Sequence, residues 1–508
     1  LLLGEEGYWL QWAIKLEGIM KVRMRLGDLL IAAKFVTPEQ VAQAMEKQDS
    51  HGGRLGDNLV ALGAITQEVL DAFLHRIPAE PTDIGAIGID ETELLTLMIK
   101  LIYSEHLESI RQFVDAIKLP YHIVNKLAQM AVERRLLRTL GTHGSSVAGM
   151  NYALTDEGRN WAKEALDHSR YVGPAPVTIG QFTDFVNLQK ITNERITFER
   201  IRKAFGELSV EDSVIEKIGP ALNSGRAMLF YGPPGNGKTS VALSFASVFD
   251  DVIYVPYSVM IEGQIMRVYD PSLHALPGVA SEAVEANSII LRDVYDARWV
   301  PCRRPFVVTG GELTLEMLDL RYDPAANFYE APLHVKALGG CFIIDDFGRQ
   351  LVTPTSLLNR WIVPLESRVD YLKLQSGKSF AIPFEEMVIF STNIEPEDLM
   401  DPAFLRRLPY KLEVGAPSLD MYRQIFDKEC QRHGLQSTDD EFDAIVRKIT
   451  DEKKMALAAY QPKFIIDQIV ATCRFMGEEP HFNPRFIDYA IGNLRVHRNA
   501  PQEHAGNP

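Results

Sequence analysis

The 508-residue chain has little cysteine. Its four residues of that type, Cys302, Cys341, Cys430 and Cys473, stand far apart. They show neither the short spacings of a zinc site nor the density of a disulfide scaffold. They fit a reducing compartment and burial in cores. Long apolar runs are missing as well. No stretch approaches the roughly 20 residues of a membrane span, so no membrane insertion is expected and the expected location is the cytoplasm. Positive charge is in deficit: 53 Lys and Arg face 68 Asp and Glu, a net charge of −15. That excludes a general nucleic-acid coat and leaves only a local basic face for DNA. Position 1 is Leu rather than Met, and Glu5-Glu6 stands where a secretory signal carries basic residues. The expectation is a fragment or a start placed too early, with Met20 or Met24 the more natural beginning. The remaining composition, 46% hydrophobic and 24% charged, is that of a globular chain, and its length suggests about three domains.

The most informative stretch is Gly232-Pro233-Pro234-Gly235-Asn236-Gly237-Lys238-Thr239, which fits G-x-x-x-x-G-K-[ST], a phosphate-binding loop. Glycines let successive N–H groups wrap around an anion. Lys238 supplies a cation for β- and γ-phosphates, and the Thr239 hydroxyl can ligate Mg²⁺. The apolar run 227–231 reads as a buried strand. A helix is predicted over 240–249, opening at Ser240, and its dipole adds to the anion site. These features predict ATP and Mg²⁺ as ligands.

Three further motifs follow. Cys341-Phe342-Ile343-Ile344 reads as a buried parallel strand ending in Asp345-Asp346, at the end where ligands bind in such sheets. Asp345 is expected to hold Mg²⁺ and Asp346 to polarise an attacking water. A third strand, 387–391, leads to Asn393, placed to orient that water. A helix over 401–407 ends in Arg406 and Arg407.

The order of these parts, with Ser391-Thr392-Asn393 and Asp401-Pro402-Ala403-Phe404-Leu405-Arg406-Arg407, resembles the AAA+ ATPase family over about 190–497. The resemblance implies an α/β P-loop NTPase core over 178–417, a parallel sheet with helices on both faces. A helical lid over 418–497 follows, then a disordered tail over 498–508. It implies that Asn393 is sensor 1. It also implies that Arg406 or Arg407 is an arginine finger reaching the ATP of a neighbour in a homo-oligomeric ring, expected to be a hexamer. A surface salt bridge is the other role open to the arginine pair. A basic lid residue that senses γ-phosphate is implied too, with Lys463 and Arg485 as the candidates. One departure is Asp346, where the family usually has Glu. The interval from Thr239 to Cys341 exceeds what a minimal core needs. It contains Arg303-Arg304-Pro305, Gly310-Gly311-Glu312-Leu313 and Tyr329-Glu330-Ala331-Pro332, and reads as an insertion facing a pore or a partner. A β-hairpin is expected around Ser376-Gly377-Lys378.

The N-terminal part is a repeat, expected over 20–80. Arg25-Leu26-Gly27-Asp28 recurs 29 positions later as Arg54-Leu55-Gly56-Asp57. Thr37 with Gln40 predicts a capping box, whereas Thr66 with Val69 predicts a cap without one. The pair resembles the N-terminal module of type II secretion and type IV pilus assembly ATPases over about 22–77. Some members bind cyclic di-GMP there. Arg25, Leu26, Gly27, Gln48, Arg54, Leu55, Gly56 and Gly63 match; Lys34 and Ile77 depart. The resemblance implies cyclic di-GMP at Arg25 and Arg54, with the neighbouring glycines letting backbone approach phosphate. Protein docking by the same fold is the alternative.

Residues 84–170 resemble a winged-helix domain. Helices are expected over 110–117 and 121–134, wing strands over 136–139 and 151–154, and a closing helix capped by Thr155. The second helix offers Lys126 and His122 against Glu133, with Arg134, Arg135 and Arg138 at the wing base. That is sparse for phosphate contacts, so protein docking is favoured over DNA. Prolines mark linkers at 78–90 and at Pro174 and Pro176. Three functions fit: ATP-driven remodelling or assembly of an unidentified protein partner, an ATP-controlled DNA-binding regulator, and a slow nucleotide-gated scaffold.

Overall fold

The computed structural model describes residues 26–142, 150–206, 208, 210–249, 251–277 and 295–494. Arg25, the wing tip and the tail over 498–508 lie outside these residues.

The repeat folds as four helices, Leu26–Ala32, Pro38–His51, Leu55–Ala61 and Gln67–His75. Thr37 and Gln40 close the capping box, whereas Thr66 only accepts from the Val69 N–H. Gly27 and Gly56 lie buried inside helices. A Cβ on Gly27 would come within 2.7 Å of Val41, and one on Gly56 within 2.9 Å of Leu70. These glycines allow the close packing of their helices against Val41 and Leu70. The module does not hang free. Leu29, Leu30, Phe73 and Ile77 share one continuous apolar cluster with Tyr295, Trp299 and Tyr329.

The stretch over 78–90 is packed, not loose. Ile84–Ile87 forms a helical turn, capped by Asp83 accepting from the Ala86 N–H, with both isoleucines buried. Three helices follow, Glu91–Glu105, Ile110–Ile117 and Tyr121–Glu133. A hairpin of β1 (Leu137–Thr142) and antiparallel β2 (Met150–Leu154) comes next, then the helix Asp156–His168. Thr155 caps that helix by accepting from the Gly158 N–H.

The core begins with β3 (Val177–Thr178) and the helices Ile179–Leu188, Phe198–Ala204 and Asp212–Ser224. Then come β4 (Met228–Tyr231), the helix Lys238–Val248, β5 (Val252–Pro256), β6 (Ser258–Ile261) and β7 (Gln264–Arg267). The next strands are β8 (Trp299–Arg303), β9 (Phe306–Thr309), β10 (Arg321–Asp323), β11 (Phe328–Glu330) and β12 (Cys341–Ile344). After the helix Pro354–Ser367 come β13 (Val369–Lys373), β14 (Ser379–Pro383), β15 (Met387–Ser391) and β16 (Tyr410–Glu413). The central sheet runs β16-β4-β15-β12-β9, all parallel. β12 and β15 are buried along their whole lengths, as their apolar runs require. β13 and β14 form the expected hairpin.

A second sheet, β10-β11-β7-β6-β3, lies mostly within the long interval after Thr239. Here the outward-facing expectation is corrected for two residues. Arg304 is buried, clamped by Asp251 at 2.7 Å and donating to the Gln189 carbonyl, and Tyr329 is buried among apolar neighbours. The four C-terminal helices, Leu419–Arg432, Asp439–Arg447, Gln461–Met476 and Pro484–Gly492, pack around Tyr422, Phe426, Ile465 and Ile469. All four cysteines are buried. Among the described residues no helix is long and apolar enough to cross a membrane.

Candidate functional site

Three neighbouring strands of the central sheet deliver the site. β4 runs into the glycine loop, β12 ends at Asp345 and β15 leads to Asn393, so parallel register sets all three at the C-terminal end of the central strands. The loop turns through left-handed backbone at Gly232, Gly235 and Gly237, with φ of 129°, 80° and 84°. Only glycine takes such angles freely. A Cβ on Gly232 would sit 2.7 Å from the Val414 carbonyl oxygen, while one on Gly237 would meet nothing within 4 Å. The loop is thus packed on one side and open on the other. The helix starts at Lys238, two residues before the predicted start, because Gly237 in the left-handed region serves as its N-cap. Ser240 lies exposed in its first turn, and Pro233 and Pro234 are exposed on the loop.

Lys238 is buried. Its Nζ donates to the carbonyls of Gly232 and Pro233, both at 2.9 Å, and to Asn393 Oδ1 at 2.6 Å. Burial pushes its ammonium below the ordinary range, against the opposing pull of Asp345 and Asp346. Asn393 donates through Nδ2 to Asp346 Oδ1 at 2.9 Å. Thr239 Oγ1 donates to Asp345 Oδ2 at 2.8 Å. The structure therefore joins Lys238, Thr239, Asp345, Asp346 and Asn393 in one hydrogen-bonded constellation. Thr239 and Asp345 together offer the hard oxygen donors that suit Mg²⁺. Asp346 sits at φ 48°, a left-handed position at the exposed end of the strand. Such strain clusters at functional sites.

Several supporting residues carry no motif. Gln350 donates through Nε2 to the carbonyls of Asp345 and Asp346, fixing the acidic turn. Thr392 Oγ1 donates to the Phe347 carbonyl at 2.7 Å and ties the two strand ends together. From the lid, the Tyr460 N–H donates to the Gly235 carbonyl at 2.9 Å, and the Ala459 N–H to Asn236 Oδ1 at 3.2 Å. A Cβ on Gly235 would lie 2.4 Å from the Tyr460 ring. No motif marks Tyr460; only its position just before the helix Gln461–Met476 hints at it.

The other expected site residues fall elsewhere. Lys463 is exposed and pairs with Asp467 at 2.9 Å, one helical turn on. Arg485 is exposed at the start of the last helix. The C-terminal helical region thus meets the loop through the Tyr460 and Ala459 main chain, with Lys463 and Arg485 lying apart from these contacts. Arg407 pairs with Glu366 at 2.6 Å and caps the Ala403 carbonyl. Arg406 is exposed, and its guanidinium reaches only the Pro402 carbonyl among the described residues. Arg54 is exposed at the N-cap of its helix.

Comparison with known proteins adds limited likenesses. Residues 418–493, the four C-terminal helices, match a family described as a domain of unknown function, DUF8689. An 81-residue part is 33% identical to the Type IV pilus assembly ATPase PilB of Myxococcus xanthus (strain DK1622), covering 16% of this chain and 14% of that protein. The chain therefore spans about a seventh of that relative. Among solved structures, NtrX from Brucella abortus aligns with a TM-score of 0.33 and 13% identity, over 69% of this chain and 65% of that one.

Proposed function

We propose that the protein is a Mg²⁺-dependent ATPase of the AAA+ type, acting in a ring to remodel or assemble a protein partner. The observation that carries this reading is the linked set Lys238, Asn393, Asp346, Thr239 and Asp345 at the C-terminal end of the parallel strands. A likeness to part of a protein named as an ATPase supports it. The loop amides and Lys238 bind the β- and γ-phosphates; the two carbonyls now receiving the lysine are neutral acceptors that phosphate oxygens replace with a stronger, charge-assisted bond. Thr239 and Asp345 would hold Mg²⁺, which when bound neutralises phosphate charge. Asp346 accepts a proton from the attacking water, and Asn393 orients both. Arg406 carries the finger role, because its guanidinium stays available to a neighbouring subunit while Arg407 is engaged by Glu366. The N-terminal repeat takes the docking role, since its glycines are consumed by helix packing.

The test is a pair of substitutions. Asp346→Asn is expected to keep Mg-ATP binding and lose about 10²–10⁴ in turnover. Asp345→Asn is expected to weaken Mg²⁺ binding as well. Normal turnover by Asp346→Asn assigns the base elsewhere.

A further inference from the structure

A cleft of about 480 Å³ lies far from the phosphate loop in sequence, between the helices Glu91–Glu105 and Asp156–His168 and the β6–β7 turn of the second sheet. Lys100 forms part of its wall and is only 4% exposed. Its Nζ donates to the Ser169 carbonyl at 2.9 Å. Among the described residues it has no carboxylate partner, and burial pushes its ammonium down to about 8. At neutral pH it is therefore still mostly charged. Taking an ammonium out of water without a counter-ion is costly, so a buried lysine of this kind is a binding-site signature when it borders a cavity.

The rest of the wall defines what fits. Leu97, Met260 and Ile265 are apolar, and Trp161 lies beside them with its indole N–H tied to Thr96 Oγ1 at 3.2 Å. Glu93, Glu164 and His168, all exposed, complete the rim. A dianion such as phosphate would face two rim carboxylates. A monoanion with an apolar body meets the ammonium at depth, the apolar wall in the middle and acceptors at the mouth.

We propose that this cleft binds a small organic carboxylate with an apolar or aromatic body and a hydrogen-bond donor at its outer end. The carboxylate accepts from the two Lys100 N–H groups not used by Ser169, the body lies against Trp161, and the outer donor meets Glu93 and Glu164. Such a ligand bridges the helical unit and the second sheet.

The test uses the full chain and 4-(4-aminophenyl)butyrate as probe, with 4-(4-aminophenyl)butanamide as its uncharged match. Calorimetry is expected to show saturable binding of the acid and at least about tenfold weaker binding of the amide, the loss typical of a charge-assisted bond. Lys100→Met is expected to remove the difference between acid and amide. Trp161→Ala, which leaves the charge in place, is expected to weaken both. No saturable binding of the acid at millimolar concentration, or equal affinity for acid and amide in the wild type, overturns the proposal.

Discussion

Lys100 shows how one buried charge sets a pH response. Its ordinary value is 10.5, and burial lowers it to about 8. The unfolded chain therefore holds this proton where the folded chain has released it, between about pH 8 and 10.5, and stability rises with pH across that window. Below pH 8 the charged, buried ammonium opposes folding by about 3 kcal/mol. Lys100→Met is accordingly expected to be more stable than wild type by about 2–3 kcal/mol at pH 7. By pH 10 the gain is expected to fall below about 1 kcal/mol. Urea denaturation of both proteins at the two pH values checks this; a gain independent of pH contradicts it. The sequence offered no hint, because Lys100 sits in an apolar helix where a long side chain usually snorkels to solvent. Thr37 was different. Its capping box was legible, because Thr and Gln three positions apart satisfy each other's backbone locally. Lys34 lies between the two cases. It takes the same left-handed backbone as Gly63, with φ of 59° against 68°, and each repeat closes with equivalent main-chain bonds. The repeat geometry thus tolerates a side chain where its partner repeat has glycine.

Elements with local signals were the readable ones. The strands at Met228, Cys341 and Met387 are short apolar runs followed by polar residues, and all three lie in the central sheet. The second sheet was not readable. Its strands hold two to four residues, and β3 joins β6 across more than 80 positions, so pairing rather than pattern defines them. The contact between the C-terminal helices and the loop has no sequence signal for the same reason: Tyr460 reaches Gly235 through its backbone, and backbone contacts leave no residue-type signature. The short helix Pro402–Leu405 and the two arginines after it permit a direct test. Arg406→Ala subunits are expected to bind ATP and lose most hydrolysis, since a finger in trans is worth about 10³–10⁵ in rate. Arg407→Ala removes a partly exposed pair with Glu366 and is expected to cost at most about 1 kcal/mol of stability while activity persists. Mixing Arg406→Ala with Lys238→Ala subunits is expected to restore some turnover, because each supplies what its neighbour lacks. Mixed assemblies with no recovery would make Arg406 act within its own subunit.

For the whole molecule, one short segment holds both proline-marked connections. Asp296 donates its N–H to the Pro78 carbonyl at 2.8 Å. Arg298 donates to the Pro176 carbonyl at 3.0 Å, and the two side chains pair in the interior, at 2% and 3% exposure. Asp296→Ala would strand a buried guanidinium and is expected to cost about 3–5 kcal/mol. Limited proteolysis is expected to open first at 78–90 and near Pro176; unchanged cleavage contradicts this coupling. The segment just before β8 thereby ties the chain at Pro78 to the chain at Pro176, a link that no single motif announces. ATP binding depends on the phosphate loop. Its most direct test is calorimetry of Mg-ATP binding to the wild-type chain and to Lys238→Ala. Saturable binding is expected in the wild type, and a loss of about 1.5–3 kcal/mol, tenfold or more, in the variant with the fold retained by circular dichroism. Equal affinity in the two proteins, or no binding by wild type, would contradict it.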